Sequence, residues 1–439
     1  MRMTVIGTGY LGATHAACMA ELGHEVLGID VDEHKIAQLA KGEVPFYEPG
    51  LPEVLSRGRE AGRLAFSTDF AQAAQFANVH FLGVGTPQQK GSYAADLRYV
   101  RSAVEQLVPH LEGHHVILGK STVPVGTAAE LQELADSLAR PGASVEIAWN
   151  PEFLREGYAV KDTITPDRIM LGVRPGGIAE QVAREVYATP LEQGIPFLVS
   201  NLATAELVKV SANAFLATKI SFINAVSEVC EAAGADVTQV ARAIGYDDRI
   251  GHKFLGAGLG FGGGCLPKDI RAYIARAGEL GATEALTFLR EVDAINMRRR
   301  EHMVNLAKRA VGGHLIGASI TVLGCAFKPN SDDVRDSPAL NVAGQLSLKG
   351  AQVTVFDPQA MDNARKIFPT LHYAESAEAA LQGADLVILA TEWDEFVQLD
   401  PTQVRGWVRT PVLIDGRNAL DSSRWAEAGW DYKALGRTF

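Results

Sequence analysis

The sequence predicts an α/β protein with two Rossmann-like, doubly wound domains joined by a long central helix. Short β-branched runs alternate with helical stretches in the first half, the same rhythm returns near the end, and a long stretch without glycine or proline lies between them. The 439 residues are 47% hydrophobic, which is enough apolar material for two or three cores of ordinary domain size. We therefore divide the chain into segments 1–200, 201–310 and 311–439.

The strands of both α/β segments are predicted from short apolar runs that end at a turn-forming or polar residue. Helical stretches separate these runs, which is the pattern of parallel sheets with crossover helices. The predicted strands are 3–6, 25–29, 79–84 and 116–118 in the first segment, and 319–323, 352–356, 385–389 and 412–414 in the last.

The middle segment is predicted to be helical and to form a dimer. Residues 203–233 contain no internal glycine or proline and are apolar around much of the helix circumference. Further helical stretches follow from about residue 268 to 309. Because a helix buried on several sides needs partners, we interpret 201–310 as a central helical region, with a homodimer interface as a hypothesis.

Charge and composition exclude several classes of protein. The formal net charge of -11 argues against a nucleic-acid-binding protein, so any anionic ligand must meet a local basic pocket. The N-terminus lacks the pattern of a signal peptide, and no run approaches the roughly 20 apolar residues of a membrane helix. The four cysteines have neither disulfide-framework nor metal-site spacing. We therefore expect a cytoplasmic protein with no bound metal.

A dinucleotide site is predicted near the N-terminus. Gly7, Gly9 and Gly12 follow a strand and open a helix, and Asp30 closes the next strand. The glycines suit a tight turn, a close approach of backbone to pyrophosphate and helix–strand packing, while the acid suits ribose hydroxyls. A carboxylate at this position repels a 2′-phosphate, which favours NAD over NADP. Lys35 lies near the ribose or is simply a solvated helix lysine.

The second α/β segment carries no equivalent fingerprint. Residues 324–328 read Gly-Cys-Ala-Phe-Lys after the first predicted strand of that segment and lack the three glycines. We expect this segment to bind a different phosphate ligand.

A reactive thiol is predicted at Cys265. Three glycines precede it, and Pro267 suits the first turn of a helix whose N-terminal amides lower the pKa of a thiol. Asp269, one helical turn further on, can reach the same place or can be an ordinary first-turn acid. A packing role is usual for a cysteine, and we assign it to the other three, which lie in helical or strand patterns: Cys18, Cys230 and Cys325.

The long helix places Lys209 and Asn213 on one face, because they are four residues apart amid apolar neighbours. A buried lysine needs a partner, and this pair can stabilise a developing alkoxide or an ordered water. A lysine that reaches out of an interface to solvent is the alternative.

Two carboxylates, Glu152 and Glu156, lie four residues apart after a strand-like run. Either can activate a water as a general base. Two exposed turn acids are the alternative.

These motifs together resemble the UDP-glucose/GDP-mannose dehydrogenase family, and most closely its bacterial members that oxidise UDP-glucose at C6. The resemblance covers essentially the whole chain and includes the long helix with Lys209 and Asn213. Its other motifs occur in the family's order: GTGYLG (7–12), GVGTP (83–87), KSTVPVGT (120–127), NPEFLREG (150–157), FGGGCLPKD (261–269), FKPNSDDVRDSP (327–338) and DGRN (415–418).

The resemblance implies an NAD-binding domain over 1–200, a central dimerisation region over 201–310 and a UDP-sugar-binding domain over 311–439. It also implies two hydride transfers to NAD. Lys209, Asn213 and a water held by Asp269 would manage the oxygen and its proton in the first oxidation. Cys265 would capture the aldehyde as a thiohemiacetal that is oxidised to a thioester, and Glu152 would act as the base that hydrolyses it. Thr122 and Glu156 would position water or nicotinamide.

Further binding residues are implied by the same resemblance. Arg249 would reach the sugar from a neighbouring subunit. For the cofactor the match adds Leu11, Lys35, Thr86, Thr122, Glu156, Lys268 and Arg335. For the UDP-sugar it adds Phe153, Leu154, Phe254, Leu255, Gly256, Gly262, Lys328 and Arg417.

Two departures from the family pattern concern the choice of sugar. Many relatives have serine before the cysteine and phenylalanine after it, where this chain has Gly264 and Leu266. The rival substrates are GDP-mannose and a UDP-N-acetylhexosamine. A nucleotide-sugar sensor without activity is the rival from another class of protein, and such a sensor would not need a thiol at position 265.

Overall fold

The computed structural model describes residues 1–437 and divides the chain into two compact units. The first unit contains Met1–Ala212 and Arg271–Leu280, and the second contains Asn213–Ile270 and Gly281–Phe439. Two of the three boundaries fall inside helices, α10 (Leu202–Ala233) and α12 (Leu266–Glu279), so each of these helices belongs partly to each unit. The third boundary, after Leu280, follows the end of α12. The predicted division into three segments stays a prediction.

The first unit is built on an eight-stranded sheet in the order β3-β2-β1-β4-β5-β6-β7-β8. Every neighbouring pair is parallel except β6 and β7. The order reverses between β1 and β4, where the carboxyl ends of parallel strands leave a crevice for a ligand. The strands are β1 (Arg2–Ile6), β2 (Glu25–Ile29), β3 (Leu64–Ser67), β4 (Val79–Leu82), β5 (His114–Gly119), β6 (Ser144–Trp149), β7 (Ile169–Val173) and β8 (Phe197–Asn201).

Helices connect these strands and several begin at a side-chain cap. Asp32 and Asp69 each accept a backbone N–H from the first turn that follows, which satisfies donors that a helix start leaves open. The helices are α1 (Tyr10–Glu21), α2 (Glu33–Lys41), α3 (Leu51–Glu60), α4 (Phe70–Phe76), α5 (Arg98–Leu107), α6 (Thr127–Leu138), α7 (Ala159–Ile164), α8 (Ala179–Val186) and α9 (Ala188–Glu192), with a 3-10 turn at Val108–His110.

Two hydrophobic cores cover the two faces of this sheet. Successive residues of β2 alternate between them, with Val26 in one core and Leu27 in the other, as expected for a strand buried on both faces. The prediction of a doubly wound domain is therefore confirmed in the first unit.

The second unit contains a six-stranded parallel sheet in the order β11-β10-β9-β12-β13-β14. This confirms the second predicted α/β domain, and its strand order also reverses beside the first strand. The strands are β9 (Ser319–Leu323), β10 (Gln352–Phe356), β11 (His372–Tyr373), β12 (Leu386–Leu389), β13 (Val412–Asp415) and β14 (Asp431–Ala434).

The long helices of the middle segment lie wholly or partly in the second unit. The glycine-free stretch predicted as one helix is α10, which is 32 residues long. Within residues 1–437, no helix is long and apolar enough to span a membrane. The remaining helices are α11 (Val237–Gly245), α13 (Phe288–Ala310), α14 (Pro338–Leu348), α15 (Met361–Ile367), α16 (Ala377–Leu381), α17 (Asp394–Val397), α18 (Pro401–Arg405) and α19 (Ser422–Glu427).

Candidate active site

The glycine turn between β1 and α1 has the geometry of a pyrophosphate-binding turn. Gly7 lies at φ +87°, which only glycine adopts readily, and a Cβ on Gly12 would lie 1.7 Å from the carbonyl oxygen of Gly7. Gly9 directly precedes α1, and a Cβ there would have no atom within 4 Å. The turn therefore presents open backbone at a helix N-terminus, which fits the pyrophosphate of a dinucleotide.

Asp30 is held as a carboxylate beside this turn. Its Oδ2 accepts the N–H of Thr8 at 2.7 Å and the ammonium of Lys35 at 3.0 Å, and its Oδ1 accepts the N–H of Asp32 at 3.1 Å. Burial alone raises the pKa of Asp30, but these three donors lower it below its ordinary value. One acceptor position remains on Oδ1, which fits a ribose hydroxyl. Lys35 is thus an ion-pair partner of Asp30 and not an isolated solvated lysine.

Two predicted cofactor threonines lie together in loops that follow neighbouring strands. The buried Thr86 follows β4 and donates its hydroxyl proton to the carbonyl oxygen of Thr122, which follows β5, at 2.8 Å. Leu11 lies half-buried in the first turn of α1. These residues belong to the strand ends on either side of the crevice.

Glu152 lies in the loop after β6 and both of its oxygens have partners. Oε1 accepts the N–H groups of Phe153 and Leu154, each at 2.6 Å, and Oε2 lies 3.2 Å from Nζ of Lys120. The Glu152 side chain is only 15% exposed, so it is not an exposed turn acid. Half-buried Lys209 places Nζ 5.5 Å from the centre of the Phe153 ring.

A buried carboxylate that the sequence analysis missed holds this loop. Glu48 is 2% exposed and accepts the N–H groups of Gly157 and Ala159 at 2.6 and 2.7 Å and the hydroxyl proton of Tyr10. Burial and the Glu48 carboxylate raise the pKa of Tyr10. The loop that carries half-buried Glu156 is therefore fastened to the first residue of α1, next to the glycine turn.

Lys120 was also missed, although the sequence contained a signal for it. A charged or polar residue follows each of two buried strands, Lys120 after β5 and Asn150 after β6, and these strands are neighbours in the sheet. Carboxyl ends of parallel strands meet at one edge, so the two side chains are brought together there.

In the second unit, Cys265 is an exposed thiol at the residue that precedes α12. Its carbonyl oxygen accepts the N–H of Asp269 at 3.0 Å, which is the first hydrogen bond of that helix. The carboxylate of Asp269 is 2% exposed and accepts the side-chain N–H of Asn213 at 2.6 Å and the ammonium of Lys268 at 2.5 Å. The predicted thiol thus lies one helical turn from a buried carboxylate that accepts a hydrogen bond on each of its oxygens.

The glycines before Cys265 pack tightly against residues 333–336. Gly263 and Gly264 donate their N–H groups to the Arg335 carbonyl and the Asp333 carboxylate at 2.8 and 3.2 Å. A Cβ on Gly264 would lie 2.2 Å from the guanidinium carbon of Arg335. A serine at position 264 would push Arg335 away, so the observed position of Arg335 depends on the glycine at 264.

Arg417 is engaged mainly with backbone. Its guanidinium donates to the carbonyl oxygens of Ala390 at 2.7 Å, Gly260 at 3.0 Å and Phe327 at 3.3 Å, and its side chain is only 12% exposed. It therefore fixes three loops of the second unit to one another. Lys328 lies half-buried, with Nζ 5.4 Å from the centre of the Phe327 ring.

The remaining predicted substrate residues lie before the glycine run. Arg249 is exposed and pairs with Asp247 at 2.6 Å. Phe254 has φ +66°, an unusual value for a residue with a side chain, and Leu255 is buried. Gly256 is exposed and Gly262 is buried.

The other three cysteines are buried, as predicted for packing residues. Burial raises the pKa of Cys18 and of Cys325, which keeps both thiols protonated. Cys265 is the exposed cysteine among the four.

Three parts of the chain match the three domains of one known protein family. Residues 1–191 match the NAD binding domain of the UDP-glucose/GDP-mannose dehydrogenase family, residues 203–298 its central domain and residues 321–422 its UDP binding domain. A UDP-glucose 6-dehydrogenase of Rhizobium meliloti is 42% identical over 438 residues, covering 100% of both chains. The structure of a UDP-glucose dehydrogenase from Pyrobaculum islandicum is similar with a TM-score of 0.91 and 38% identity, covering 100% of this chain and 98% of the other. A UDP-D-ManNAc dehydrogenase from Pyrococcus horikoshii has a TM-score of 0.86 and 25% identity, covering 100% and 99%.

Proposed function

Since this chain belongs to the UDP-glucose/GDP-mannose dehydrogenase family, we propose that it is a UDP-glucose 6-dehydrogenase. It oxidises the C6 hydroxyl of UDP-glucose to a carboxylate with two NAD+ and one water. The observation that carries this proposal is the exposed Cys265 thiol, one helical turn from the buried pair of Asp269 and Asn213. Such an arrangement suits nucleophilic capture of an aldehyde beside groups that hold its oxygen.

NAD is the cofactor, and when bound it would supply the hydride acceptor for each of the two oxidations. The backbone at Gly7, Gly9 and Gly12 binds its pyrophosphate, and Asp30 accepts a ribose hydroxyl. Because its pKa is lowered, Asp30 stays charged and repels the 2′-phosphate of NADP. We propose further cofactor contacts by Leu11, Lys35, Thr86, Thr122, Glu156, Lys268 and Arg335.

The first oxidation needs groups that hold the C6 oxygen and take its proton. Lys209 and Asn213, one turn apart on α10, donate to this oxygen, and Asp269 holds the water that receives the proton. The ammonium and the amide are stronger donors to a developing alkoxide than to the hydroxyl, so they favour the transition state. This is the physical reason for a lysine at that position of the helix.

The second oxidation and the release of product depend on Cys265. The thiolate attacks the aldehyde carbon to form a thiohemiacetal, whose oxidation yields a thioester. Glu152 then takes a proton from water, which attacks the acyl carbon. Thr122 and Glu156 position the water or the nicotinamide. We propose that the UDP-sugar is held by Phe153, Leu154, the backbone of 254–256, Gly262, Lys328 and Arg417, with Arg249 reaching the sugar from a neighbouring subunit.

The stoichiometry tests this proposal. Supplied with limiting UDP-glucose and excess NAD+, the enzyme is expected to form two NADH and one UDP-glucuronate per sugar, because oxidation of an alcohol to a carboxylate removes two hydrides. NADH absorbance and chromatography of the sugar nucleotide measure both quantities. A ratio of one NADH would show that the reaction stops at the aldehyde.

A panel of nucleotide sugars separates the rival substrates. Turnover with GDP-mannose or a UDP-N-acetylhexosamine but none with UDP-glucose would contradict the proposed substrate. Binding without any NADH formation would instead favour the sensor, a role for which the Cys265 thiol is not needed. The greater identity to UDP-glucose dehydrogenases than to the UDP-D-ManNAc dehydrogenase supports UDP-glucose.

We also propose a homodimer formed by the central helices. Three large apolar residues of α10 are spaced seven apart and exposed, Phe215 at 67%, Phe222 at 54% and Val229 at 66%. Residues at this spacing lie on one helix face, and such a stripe suits packing against a second copy.

We also propose a cytoplasmic location, which is in keeping with four cysteines that carry thiols and no disulfide.

The proposed dimer can be tested by replacing an apolar residue of the exposed α10 stripe with a charged one. Phe222→Glu is expected to shift the sedimentation coefficient from that of a dimer to that of a monomer, because a carboxylate in an apolar interface loses its hydration. Leu348→Glu is the matched control, since Leu348 is 89% exposed at the end of α14 and should leave the assembly unchanged. A Phe222→Glu protein that sediments like the wild type would contradict the proposed interface.

A further inference from the structure

We propose that Lys120 is the positioning residue for Glu152, and that it holds this carboxylate in the one orientation that binds the hydrolytic water. This inference rests on the proposed function, in which Glu152 is the base of the hydrolysis step. It assigns a role to the first residue of the KSTVPVGT motif, of which the mechanism so far uses only Thr122.

The ammonium of Lys120 is buried and all three of its protons have acceptors. Nζ lies 3.2 Å from Glu152 Oε2, 3.1 Å from Asn150 Oδ1 and 3.3 Å from Tyr187 Oη, and the side chain is only 7% exposed. A lysine ammonium has three donors and no acceptor, so its position is fully determined by these partners.

The partners of Lys120 are themselves fixed. Tyr187 donates its hydroxyl proton to Asn150 Oδ1 at 2.5 Å, and the Asn150 amide donates to the Met170 carbonyl at 2.8 Å. Tyr187 is 3% exposed and Asn150 is 2% exposed. Lys120 therefore links the Glu152 side chain to fixed residues at the ends of strands β5–β7. This link limits the orientations that the Glu152 carboxylate can adopt.

The ion pair keeps Lys120 charged in spite of its burial. Burial favours the neutral amine, but the charge of Glu152 and the hydroxyl of Tyr187 more than offset this, so the pKa of Lys120 is raised above its ordinary value. A buried ammonium that loses its carboxylate partner raises the free energy of the folded protein. The two side chains are therefore expected to stay paired.

Counting acceptor positions shows where water binds. A carboxylate has about four lone-pair positions. Two on Oε1 are taken by the N–H groups of Phe153 and Leu154, and one on Oε2 is taken by Lys120. The remaining position lies on Oε2, so the oxygen that accepts the proton of the water is the same oxygen that Lys120 holds.

We assign the hydrolysis step of the proposed mechanism to the water at this oxygen. Water bound at Oε2 forms a bond from its oxygen to the acyl carbon, and its proton passes to Glu152. The bond between the acyl carbon and sulfur breaks, and the sulfur leaves as the Cys265 thiolate. Lys120 touches neither substrate nor water in this step and acts only through Glu152.

The test compares Lys120→Met with the wild type in a rapid-mixing experiment with UDP-glucose and NAD+. We expect a burst of two NADH per active site, followed by steady turnover slowed by about 10²-fold, with a small change in KM. The thioester at Cys265 should accumulate and be visible in the mass of the intact protein. The size of the burst measures the number of folded active sites. A loss of folded protein therefore lowers the burst and the steady rate together and leaves their ratio unchanged.

Added hydroxylamine distinguishes positioning from structural damage. Hydroxylamine cleaves a thioester without a general base, so it should restore NADH turnover in Lys120→Met. Lys161→Met is the matched control, because Lys161 is exposed in α7 and should behave as the wild type. Turnover of Lys120→Met at the wild-type rate, or slow turnover without a thioester and without rescue, would overturn the proposal.

If Lys120→Met does not fold, a double variant can be used to test the same proposal. Lys120→Met with Glu152→Gln removes both charges of the pair together, so no lone buried charge remains. Since Lys120 acts only through Glu152, the double variant should deacylate at the rate of Glu152→Gln alone. A slower double variant would overturn the proposal. If the wild type forms no NADH from UDP-glucose, the proposed function itself fails, which is a different outcome.

Discussion

Replacement of Cys265 by serine is expected to lower the rate of UDP-glucuronate formation by at least about 10³-fold. A serine hydroxyl is a much weaker nucleophile than a thiolate, so the aldehyde is not captured and no thioester forms. The loss should not arise from unfolding. Cys265 directly precedes α12 and its carbonyl accepts the first helical hydrogen bond, and serine is among the best residues for such a position.

Three measurements check this expectation. Product formation is followed by chromatography, binding of NAD and UDP-glucose by calorimetry, and folding by thermal unfolding. Both ligands should still bind, and the melting temperature should stay close to that of the wild type. Unchanged product formation in Cys265→Ser would remove the covalent step from the mechanism.

Cys230→Ser is the matched control for this substitution. Cys230, a residue of α10, is 4% exposed and packs in a small apolar core, so a hydroxyl there should lower the melting temperature while kcat is retained. The two variants are thus expected to show opposite patterns, with activity lost in one and stability lost in the other.

Alanine at Gly12 and at Gly9 is expected to separate the two tasks of the glycine turn. In Gly12→Ala the new Cβ would lie 1.7 Å from the backbone oxygen of Gly7, so α1 must move away from the turn. We expect a loss of about 3 kcal/mol in the free energy of unfolding. NAD binding should be lost as well, because the helix N-terminus no longer faces the pyrophosphate.

Gly9→Ala should leave the fold nearly unchanged. Gly9 has φ −67°, which any residue adopts, and a Cβ there would have no neighbour within 4 Å. We expect a change below about 1 kcal/mol in the free energy of unfolding. NAD affinity should nevertheless fall at least about tenfold, because the methyl group occupies the space through which the backbone meets the pyrophosphate.

Urea unfolding and calorimetric titration with NAD+ measure both quantities for each variant. Wild-type NAD affinity in Gly9→Ala would show that the pyrophosphate does not lie against this turn. Wild-type stability in Gly12→Ala would contradict the close approach of α1 to the Gly7 carbonyl.

The features that could be predicted from the sequence are local. The GTGYLG turn was recognised because its three tasks fall on residues within one strand–turn–helix unit. Cys265 was placed at a helix start because glycines and Pro267 surround it, and the structure has α12 begin at the next residue. The helix α10 was predicted because nothing in its sequence interrupts it.

The partners of the site residues could not be predicted in this way. The sequence pattern paired Lys209 with Asn213, but Lys209 lies over the Phe153 ring and Asn213 is bonded to Asp269, 56 residues further on. Glu48 likewise joins Tyr10 to the loop before α7, although it lies in no motif that was recognised.

The sequence by itself therefore determined the two α/β domains, the glycine turn with Asp30 beside it and the thiol at a helix start. These depend on hydrogen bonds and steric limits among residues a few positions apart. The tertiary structure alone decided that Lys120 meets Glu152 across the ends of β5 and β6. The order of strands in a sheet and the burial that makes an ion pair strong are properties of the folded chain, so only the fold could show which charges belong together.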